Sequence, residues 1–337
     1  MQLLITTQIL DRSDPVLGFF HAWVAALAKE CEQVTVIALS VGEHSLPGNV
    51  AVRSLGKENG RRGKLTYAAT FQDHLRELDG TYDAVFVHMN PEYVLLGFPF
   101  WRGKKVALWY NHDHGGWKLK LASYFVDALL HTSPYAASAG TKKSQQMPAG
   151  IDTQVFRPQG VDVRLKSIYF QGRVSRSKRV HVLLEALRSV PGATVTLVGP
   201  AEPSYEAMLR SEFKDLIYGG RVTFYGPVPN AETPALYAAH AVSVNLTAAG
   251  NYDKSVLESI ACGTPALVSS PAFADLVPEP CYFKENDPAS LAETLRRILA
   301  LSSEERRMLT DAGSARIHEE HSLGALTRAI LEVYRRP

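Results

Sequence analysis

Four cationic side chains crowd into one short turn of this sequence, between a predicted strand and a predicted helix. The turn reads QGRVSRSKR (171–179), and its cations are Arg173, Arg176, Lys178 and Arg179. One interpretation is a solvated basic turn. The other is a clamp on a diphosphate, because a leaving diphosphate gains negative charge and fixed cations then stabilise the transition state more than the ground state. Neither GxxxxGK(S/T) nor GxGxxG is present, which argues against a P-loop and against a nicotinamide-dependent dehydrogenase.

A second candidate is the segment NYDKSVLESIACGTPALVSS (251–270). Ser255 and Glu258 have the spacing of a helix capping box, and Gly263 and Pro265 are typical of a helix end. The same helix follows a predicted strand through a short polar loop, so its free amides would attract a phosphate. A carboxylate there would accept both hydroxyls of a ribose. Capping and nucleotide binding do not exclude each other, and both interpretations stay open.

Histidines follow several predicted strands in the first half of the chain. The segment WYNHDHGG (109–116) carries His112 and His114, while His88 and His131 lie at the ends of other strands. They are surface histidines in one interpretation and metal ligands in another, but no closed ligand set is apparent and we expect no metal. A third interpretation places His112 against a sugar hydroxyl.

Apolar runs of strand length alternate with helical patterns in two successive series. The first series has runs at residues 3–7, 34–39, 51–55, 83–89, 104–110 and 127–133, and the second at 167–172, 194–199, 222–226, 241–246 and 265–270. This alternation predicts parallel, doubly wound sheets. We therefore expect an α/β protein of two facing Rossmann-like domains with a cleft between them, and ligands at the carboxyl ends of the strands.

Domain boundaries follow from the break between the two series. The segment 148–164 contains Pro and Gly and lacks periodicity, so it is the expected linker. We predict an N-terminal domain over 1–155, a C-terminal domain over 156–321, and an amphipathic helix over 322–337 that crosses back to the first domain.

Composition excludes several classes of protein. The net charge of +2 over 337 residues gives no strong field for nucleic acid. The three cysteines are widely spaced, which disfavours a disulfide framework or a cysteine zinc site and fits a reducing cytoplasm. No apolar run approaches the ~20 residues of a membrane span.

Taken in order, four segments resemble motifs of the family 4 retaining glycosyltransferases, which have the GT-B fold. DKSVLESIACGTPALVS resembles the E-x7-E segment and its trailing A-x-G-x-P-V, and GRVSRSKRVHVLLEAL resembles G-R-x4-K-G-x3-L-x2-A. AGIDTQVFRP is similar to the interdomain H-G-I-D-x3-F-x-P, and VTFYGPVPNAETPALYAAHAVSVNLT to V-x-F-x-G-x-V and the Tyr-containing motif after it. Gly250 stands where the first Glu of E-x7-E is expected, and Asp253 is the candidate to replace it.

The resemblance implies a role for each matching residue. Arg173 and Lys178 hold the donor diphosphate, Glu258 holds the ribose, and His112 contacts the transferred sugar. The other donor-binding positions implied are Gly18, Gly226, Val228, Asp253, Ser255 and Val256.

The implied activity is transfer of a sugar from a nucleotide-diphosphate sugar to an acceptor hydroxyl with retention of configuration, without a metal or other cofactor. A non-catalytic sugar-nucleotide-binding protein, motivated by Gly250, and a nucleotide-sugar epimerase of the same fold are the alternatives. The acceptor is a sugar or a lipid-linked molecule, and the sequence identifies neither the nucleobase, the sugar nor the oligomeric state.

A surface of the first domain is the candidate for weak peripheral membrane contact. A basic loop precedes the predicted helix 65–78, and the segment 117–130 mixes Trp117, Lys118 and Lys120 with apolar residues. Basic and exposed apolar side chains together favour an anionic membrane surface. In the alternative interpretation the apolar residues face the core, as a helix packed on a parallel sheet requires.

Overall fold

The computed structural model describes residues 1–248 and 252–335 and has an α/β fold with two parallel β-sheets. Its strands are β1 (Gln2–Leu10), β2 (Gln33–Val41), β3 (Val50–Ser54), β4 (Ala84–His88), β5 (Lys105–Trp109), β6 (Ala128–His131), β7 (Ser144–Gln146), β8 (Arg164–Gln171), β9 (Thr194–Val198), β10 (Val222–Gly226), β11 (His240–Asn245) and β12 (Ala266–Val268). Its α-helices are α1 (Phe19–Glu30), α2 (Lys64–Glu77), α3 (Pro91–Gly97), α4 (Trp117–Ala122), α5 (Val180–Arg188), α6 (Pro203–Glu212), α7 (Lys214–Tyr218), α8 (Thr233–Ala238), α9 (Lys254–Ala261), α10 (Pro288–Leu299), α11 (Ser303–Glu320) and α12 (Leu323–Arg335).

The first unit comprises residues 1–150 and 323–337. Its described strands form a parallel sheet of order β3-β2-β1-β4-β5-β6-β7. Alternate residues of β1 contribute to the hydrophobic cores on opposite faces of the sheet, because successive side chains of a strand point to opposite faces. Leu3 and Ile5 join the core that contains Trp23 of α1, while Leu4 joins the core that contains Phe71 of α2. Both faces of the sheet are therefore covered, which explains the continuous apolar runs of the sequence.

Helix α12 belongs to the first unit although it follows the second in sequence. Leu326, Ile330 and Leu331 are buried in the same core as Trp23. The Tyr334 hydroxyl donates a hydrogen bond to the Val85 carbonyl at 2.9 Å. The helix thus closes one face of the first sheet.

The second unit comprises residues 151–322, so the division falls after Gly150 and not after the predicted residue 155. The reason is a pairing that sequence does not reveal. Ile151 forms a parallel bridge with Ser322, and its amide donates to the His321 carbonyl at 2.9 Å. These contacts attach the start of the interdomain segment to the second unit.

The sheet of the second unit has the order β10-β9-β8-β11-β12, and all of its described pairs are parallel. The predicted α/β fold with two Rossmann-like units is confirmed. In this sheet β9 and β10 lie on one side of β8, and β11 and β12 lie on the other side. The crevice between the carboxyl ends of β8 and β11 is the topological switch point, where sheets of this kind bind ligands.

Among the described residues, no helix combines the length and the apolar character needed to cross a lipid bilayer.

Candidate functional site

The loop after β8 begins with a backbone contact that only glycine permits. Gly199, which follows β9, has a φ of +134°, and a Cβ built there would lie 2.1 Å from the Gly172 carbonyl oxygen. The loops after β8 and β9 therefore pack backbone to backbone at the carboxyl edge of the sheet. Arg173 follows directly and is exposed to solvent. Its guanidinium is thus available at the edge where a ligand is expected.

Lys178 lies at the switch point, in a network formed by groups from both of its strand ends. Its Nζ donates to Asp253 Oδ2 at 2.5 Å and to Thr247 Oγ1 at 2.9 Å. Asn245, the last residue of β11, also donates its Nδ2 to Asp253 Oδ2, at 2.8 Å. The lysine comes from the single turn of 3₁₀ helix before α5. The network therefore holds one cation at a fixed point in the crevice.

The charge state of Asp253 follows from this network. Burial alone would raise the pKa of its carboxyl, but the Lys178 ammonium and the hydrogen bonds from Lys178, Thr247 and Asn245 hold that pKa below its usual range. The carboxylate is therefore ionised and neutralises Lys178. The sequence motifs point to Lys178 and Asp253 separately, but they do not reveal the contact between the two or the part that Asn245 and Thr247 take in it.

The capping-box interpretation of Ser255 and Glu258 is wrong. Helix α9 begins at Lys254 with Asp253 as its N-cap residue, so Ser255 lies inside the first turn. The Asn245 amide is 3.5 Å from the Ser255 hydroxyl, and the Val256 amide donates to the Asp253 carbonyl at 3.2 Å. These two predicted donor-binding positions therefore lie beside the Asp253 network.

Glu258 is a buried carboxylate, only 5% exposed, rather than part of a helix cap. Its Oε1 accepts from Asn230 Nδ2 at 3.2 Å and its Oε2 from the Tyr237 hydroxyl at 3.3 Å. Burial raises the pKa of Glu258, although these hydrogen bonds and the charge of Lys254 act in the opposite direction. Burial also lowers the pKa of Lys254 to about 7, against the influence of Glu258. Two ionisable groups one helical turn apart thus have shifted pKa values, as is common at functional sites.

The predicted base-binding positions Gly226 and Val228 lie in the loop that leads to Asn230. Gly226 ends β10 with a φ of +89°, and its carbonyl accepts from the Gly199 amide at 2.9 Å. Because Asn230 bonds Glu258, this loop is joined to α9. The structure therefore brings the predicted base and ribose positions to the same side of the second unit.

In the first unit, Gly18 precedes α1 where the backbone turns tightly. A Cβ there would lie 2.5 Å from the Asp14 carbonyl oxygen, which accepts the Gly18 amide hydrogen at 2.9 Å. The turn itself therefore requires glycine. That local reason stands beside the predicted donor-facing role, which it neither supports nor removes.

His112 follows β5 and lines an open pocket of ≈ 390 Å³. Its ring meets that of Tyr110 edge to face, with ring centroids 5.6 Å apart. The neighbouring His114 is bonded through Nδ1 to the Asp113 carboxylate at 2.6 Å. The structure thus places His112, but not His114, in the wall of this pocket.

The sequence model of the family described as "Glycosyl transferases group 1" matches residues 166–301. These residues lie within the second unit, most of which is therefore similar to the group 1 glycosyl transferases. Among curated relatives, D-inositol 3-phosphate glycosyltransferase of Mycobacterium avium (strain 104) is 29% identical over 140 residues, which cover 36% of this chain and 31% of that protein. The enzyme of the same name from Mycobacterium tuberculosis (strain H37Ra) is 25% identical over 210 residues, or 56% of this chain and 42% of that protein. The chain thus spans less than half the length of these relatives.

Solved structures extend the similarity to the first unit. HepE of Anabaena in complex with UDP has a TM-score of 0.80 at 16% identity, covering 99% of this chain and 100% of that one. Sucrose-phosphate synthase of Thermosynechococcus elongatus has a TM-score of 0.82 at 18% identity, covering 99% and 98%. At these identities the likeness concerns the fold, which is GT-B.

Two further predictions from the sequence concern Gly250 and the histidines. Gly250, at the first position of E-x7-E, lies outside the described residues. For the histidines, no group of three or more His, Cys, Asp or Glu side chains within residues 1–248 and 252–335 is arranged to hold a metal ion. His88 instead stacks on Phe20 with ring centroids 4.1 Å apart, and His131 Nδ1 is bonded to the Ser133 carbonyl at 2.8 Å.

Proposed function

We propose that this protein transfers a sugar from a nucleotide-diphosphate sugar to an acceptor hydroxyl with retention of anomeric configuration. The observation that carries the proposal is the Lys178 ammonium, held by Asp253 and Thr247 at the switch point of the second unit. A diphosphate entering the crevice meets a fixed cation that it can share with, or take from, Asp253. Arg173 supplies the second charge.

The proposed step uses these cations where charge develops. The bond between the anomeric carbon and the phosphate oxygen breaks, and its electron pair stays on the leaving diphosphate. The acceptor oxygen bonds to the anomeric carbon on the same face, and its proton passes to the leaving phosphate oxygen. Arg173 and Lys178 stabilise the negative charge that develops on the leaving diphosphate, so in this proposal protein cations, rather than a metal, neutralise it.

Glu258 holds the ribose in this proposal. A carboxylate offers about four acceptor positions, of which Asn230 and Tyr237 take one each, so capacity for two ribose hydroxyls remains. The base would lie along the loop of Gly226 and Val228. The HepE structures, described as complexes with UDP and with UDP-glucose, favour uridine as the first base to test.

A donor panel tests the proposal directly. We expect saturable binding of UDP or GDP by calorimetry, and turnover of the matching nucleotide sugar in which the product keeps the donor's anomeric configuration, read by NMR. Binding without turnover against a broad acceptor panel would favour the non-catalytic alternative. Conversion of the donor sugar without any acceptor would favour the epimerase, and failure of both nucleotides to bind would overturn the proposal.

We also propose that this protein makes weak peripheral contact with anionic membranes. In α2, Phe71 and Leu75 face the core, which agrees with the alternative interpretation, but Leu65 beside the basic loop is 87% exposed. We expect salt-sensitive cosedimentation with anionic vesicles, reduced when Lys57 and Arg61 are changed to glutamine, because each surface cation contributes about 1 kcal/mol. Equal pelleting of this variant, or no pelleting at low salt, would remove the proposal.

A further inference from the structure

The pocket beside His112 has a composition that points to one class of ligand. It lies at the carboxyl ends of β4 and β5 and is open to solvent, with a volume of ≈ 390 Å³. Its lining includes two aromatic side chains, Tyr110 and Trp117, and the polar side chains of Asn90, Glu92 and His112. Aromatic walls with a few placed polar groups are typical of small-molecule sites.

One edge of this pocket is held in a strained backbone conformation. Met89 has a φ of +67°, and the Asn90 amide donates to the His88 carbonyl across it at 3.0 Å, which closes a three-residue turn. Such positive-φ turns are rare and strained. The Asn90 side chain is fixed as well, since its Oδ1 accepts from Gln8 Nε2 at 2.8 Å. Its Nδ2 is a hydrogen-bond donor at a fixed place in the pocket wall.

Trp117 differs from the other tryptophans of the chain. Trp23, Trp101 and Trp109 are 1%, 3% and 4% exposed, whereas Trp117 is 69% exposed. Its indole is therefore an apolar plane of the pocket wall that is largely open to solvent, with the Lys118 ammonium 5.9 Å from the ring centroid. A flat ligand face with C–H groups would cover it favourably, because the face of an aromatic ring carries partial negative charge.

The lining contains one lysine and one carboxylate, and the two are paired with each other. Lys118 Nζ donates to Glu92 Oε1 at 2.7 Å. Burial would raise the pKa of Glu92, but this hydrogen bond and the charge of Lys118 hold it below its usual range, so the carboxylate is ionised. Recognition of a phosphate uses charge-assisted bonds from cations. Here the lining has one lysine, paired with a carboxylate, and no arginine, whereas in the crevice of the second unit Arg173 adds a second cation beside the Lys178–Asp253 pair.

We propose that this pocket binds an uncharged saccharide ring of the acceptor, with the ring face on Trp117 and its hydroxyls bonded by Glu92 and Asn90. The inference rests on the proposed function and deepens it, because it selects a neutral sugar over a phosphorylated acceptor.

Trp117 gives a direct test that needs no donor and no turnover. Methyl pyranosides of glucose, galactose and mannose are titrated against the full chain, with and without UDP, while quenching of tryptophan fluorescence by acrylamide is measured. We expect at least one of these sugars to protect the exposed indole, and the matching hexose 6-phosphate to protect it less. Failure of every neutral pyranoside to protect it, or better protection by the phosphate, would overturn the proposal.

Variants separate the pocket from general effects. In calorimetry we expect Trp117→Ala to weaken binding of the protecting pyranoside by about tenfold, the typical worth of an aromatic contact. Tyr124→Ala, which removes another exposed aromatic outside the pocket lining, should not change it. Equal effects of the two variants would contradict the assignment of the ring to Trp117.

Changing Glu92 tests the charge argument. Glu92→Gln leaves Lys118 without its carboxylate, so the preference should shift from the neutral pyranoside toward the hexose 6-phosphate. An unchanged preference would contradict the neutral-pocket argument. Nucleotide binding is measured separately. If the saccharide tests fail while donor turnover is intact, only the assignment of this pocket to the acceptor is overturned. Loss of donor binding with saccharide protection retained would remove the proposed transfer alone.

Discussion

Replacing Lys178 by alanine is expected to lower the rate of sugar transfer by about 10²–10³. The Lys178 ammonium lies at the switch point of the second sheet, in an ion pair with Asp253. In the proposed complex the diphosphate shares this ammonium with Asp253 or takes it from Asp253. The contribution of Lys178 grows as negative charge develops on the leaving group, so kcat should fall more than donor affinity. The measurement is steady-state transfer from the donor that the panel identifies, beside calorimetric affinity for the free nucleotide.

The controls for this experiment come from the same turn. Arg176→Ala removes an equal charge from a side chain that packs over the Tyr205 ring instead, 5.9 Å from its centroid, and should leave transfer nearly unchanged. Removing Lys178 also leaves Asp253 without its cation, so thermal melts must accompany the rates. Arg173→Ala, at an exposed position, should give a similar loss of rate without that cost in stability. Near-normal turnover in both Arg173→Ala and Lys178→Ala would contradict the diphosphate clamp.

Glu258→Gln is expected to weaken nucleotide binding by roughly 10- to 100-fold while leaving the fold as stable as before. Hydrogen bonds to a charged acceptor are worth about 1.5–3 kcal/mol, and the ribose would lose that charge. Within the protein the amide keeps an oxygen for Asn230 and gains a donor for the Tyr237 oxygen, so both contacts persist. Nucleotide titration and thermal melts, run on the same preparations, separate the two effects.

A carboxylate elsewhere in the second unit serves as the matched control. Glu285 pairs with Arg179 at 2.6 Å on the surface, and Glu285→Gln should alter neither nucleotide affinity nor stability appreciably. If Glu258→Gln lowered the melting temperature and left nucleotide affinity intact, the carboxylate would be a structural member of the Tyr237 network and the ribose assignment would fail.

The apolar runs predicted eleven of the twelve described strands, because strands buried on both faces are continuous apolar runs. They did not predict β7, whose three residues are polar, only partly buried and at the edge of the first sheet. It was less informative where a contact joins distant segments. Lys178 and Asp253 were each nominated from their own motif, but their ion pair joins residues 75 apart along the chain. No local spacing encodes such a pair, since the sheet order alone brings the ends of β8 and β11 together.

The error at Glu258 has a different origin. Ser-x-x-Glu is a genuine capping signal, but Asp253 is also a favourable N-cap residue and lies two positions earlier. Because α9 has Asp253 and not Ser255 as its N-cap residue, the Glu258 side chain contacts Tyr237 and does not reach back to the first turn of the helix. The partner that decides this, Asn230, comes from the loop after another strand, so burial rather than local propensity settled the orientation.

The order of segments along the chain also affects how the protein is made. Because α12 shares one face of the first sheet with α1 and is synthesised after the whole second unit, the first unit cannot complete the burial of that face while it emerges from the ribosome. Domains usually fold as units in order of synthesis. Here the second unit has all its described strands before the first unit has its last helix, so the core around Trp23 lacks the contacts of Leu326, Ile330 and Leu331 until α12 has been synthesised.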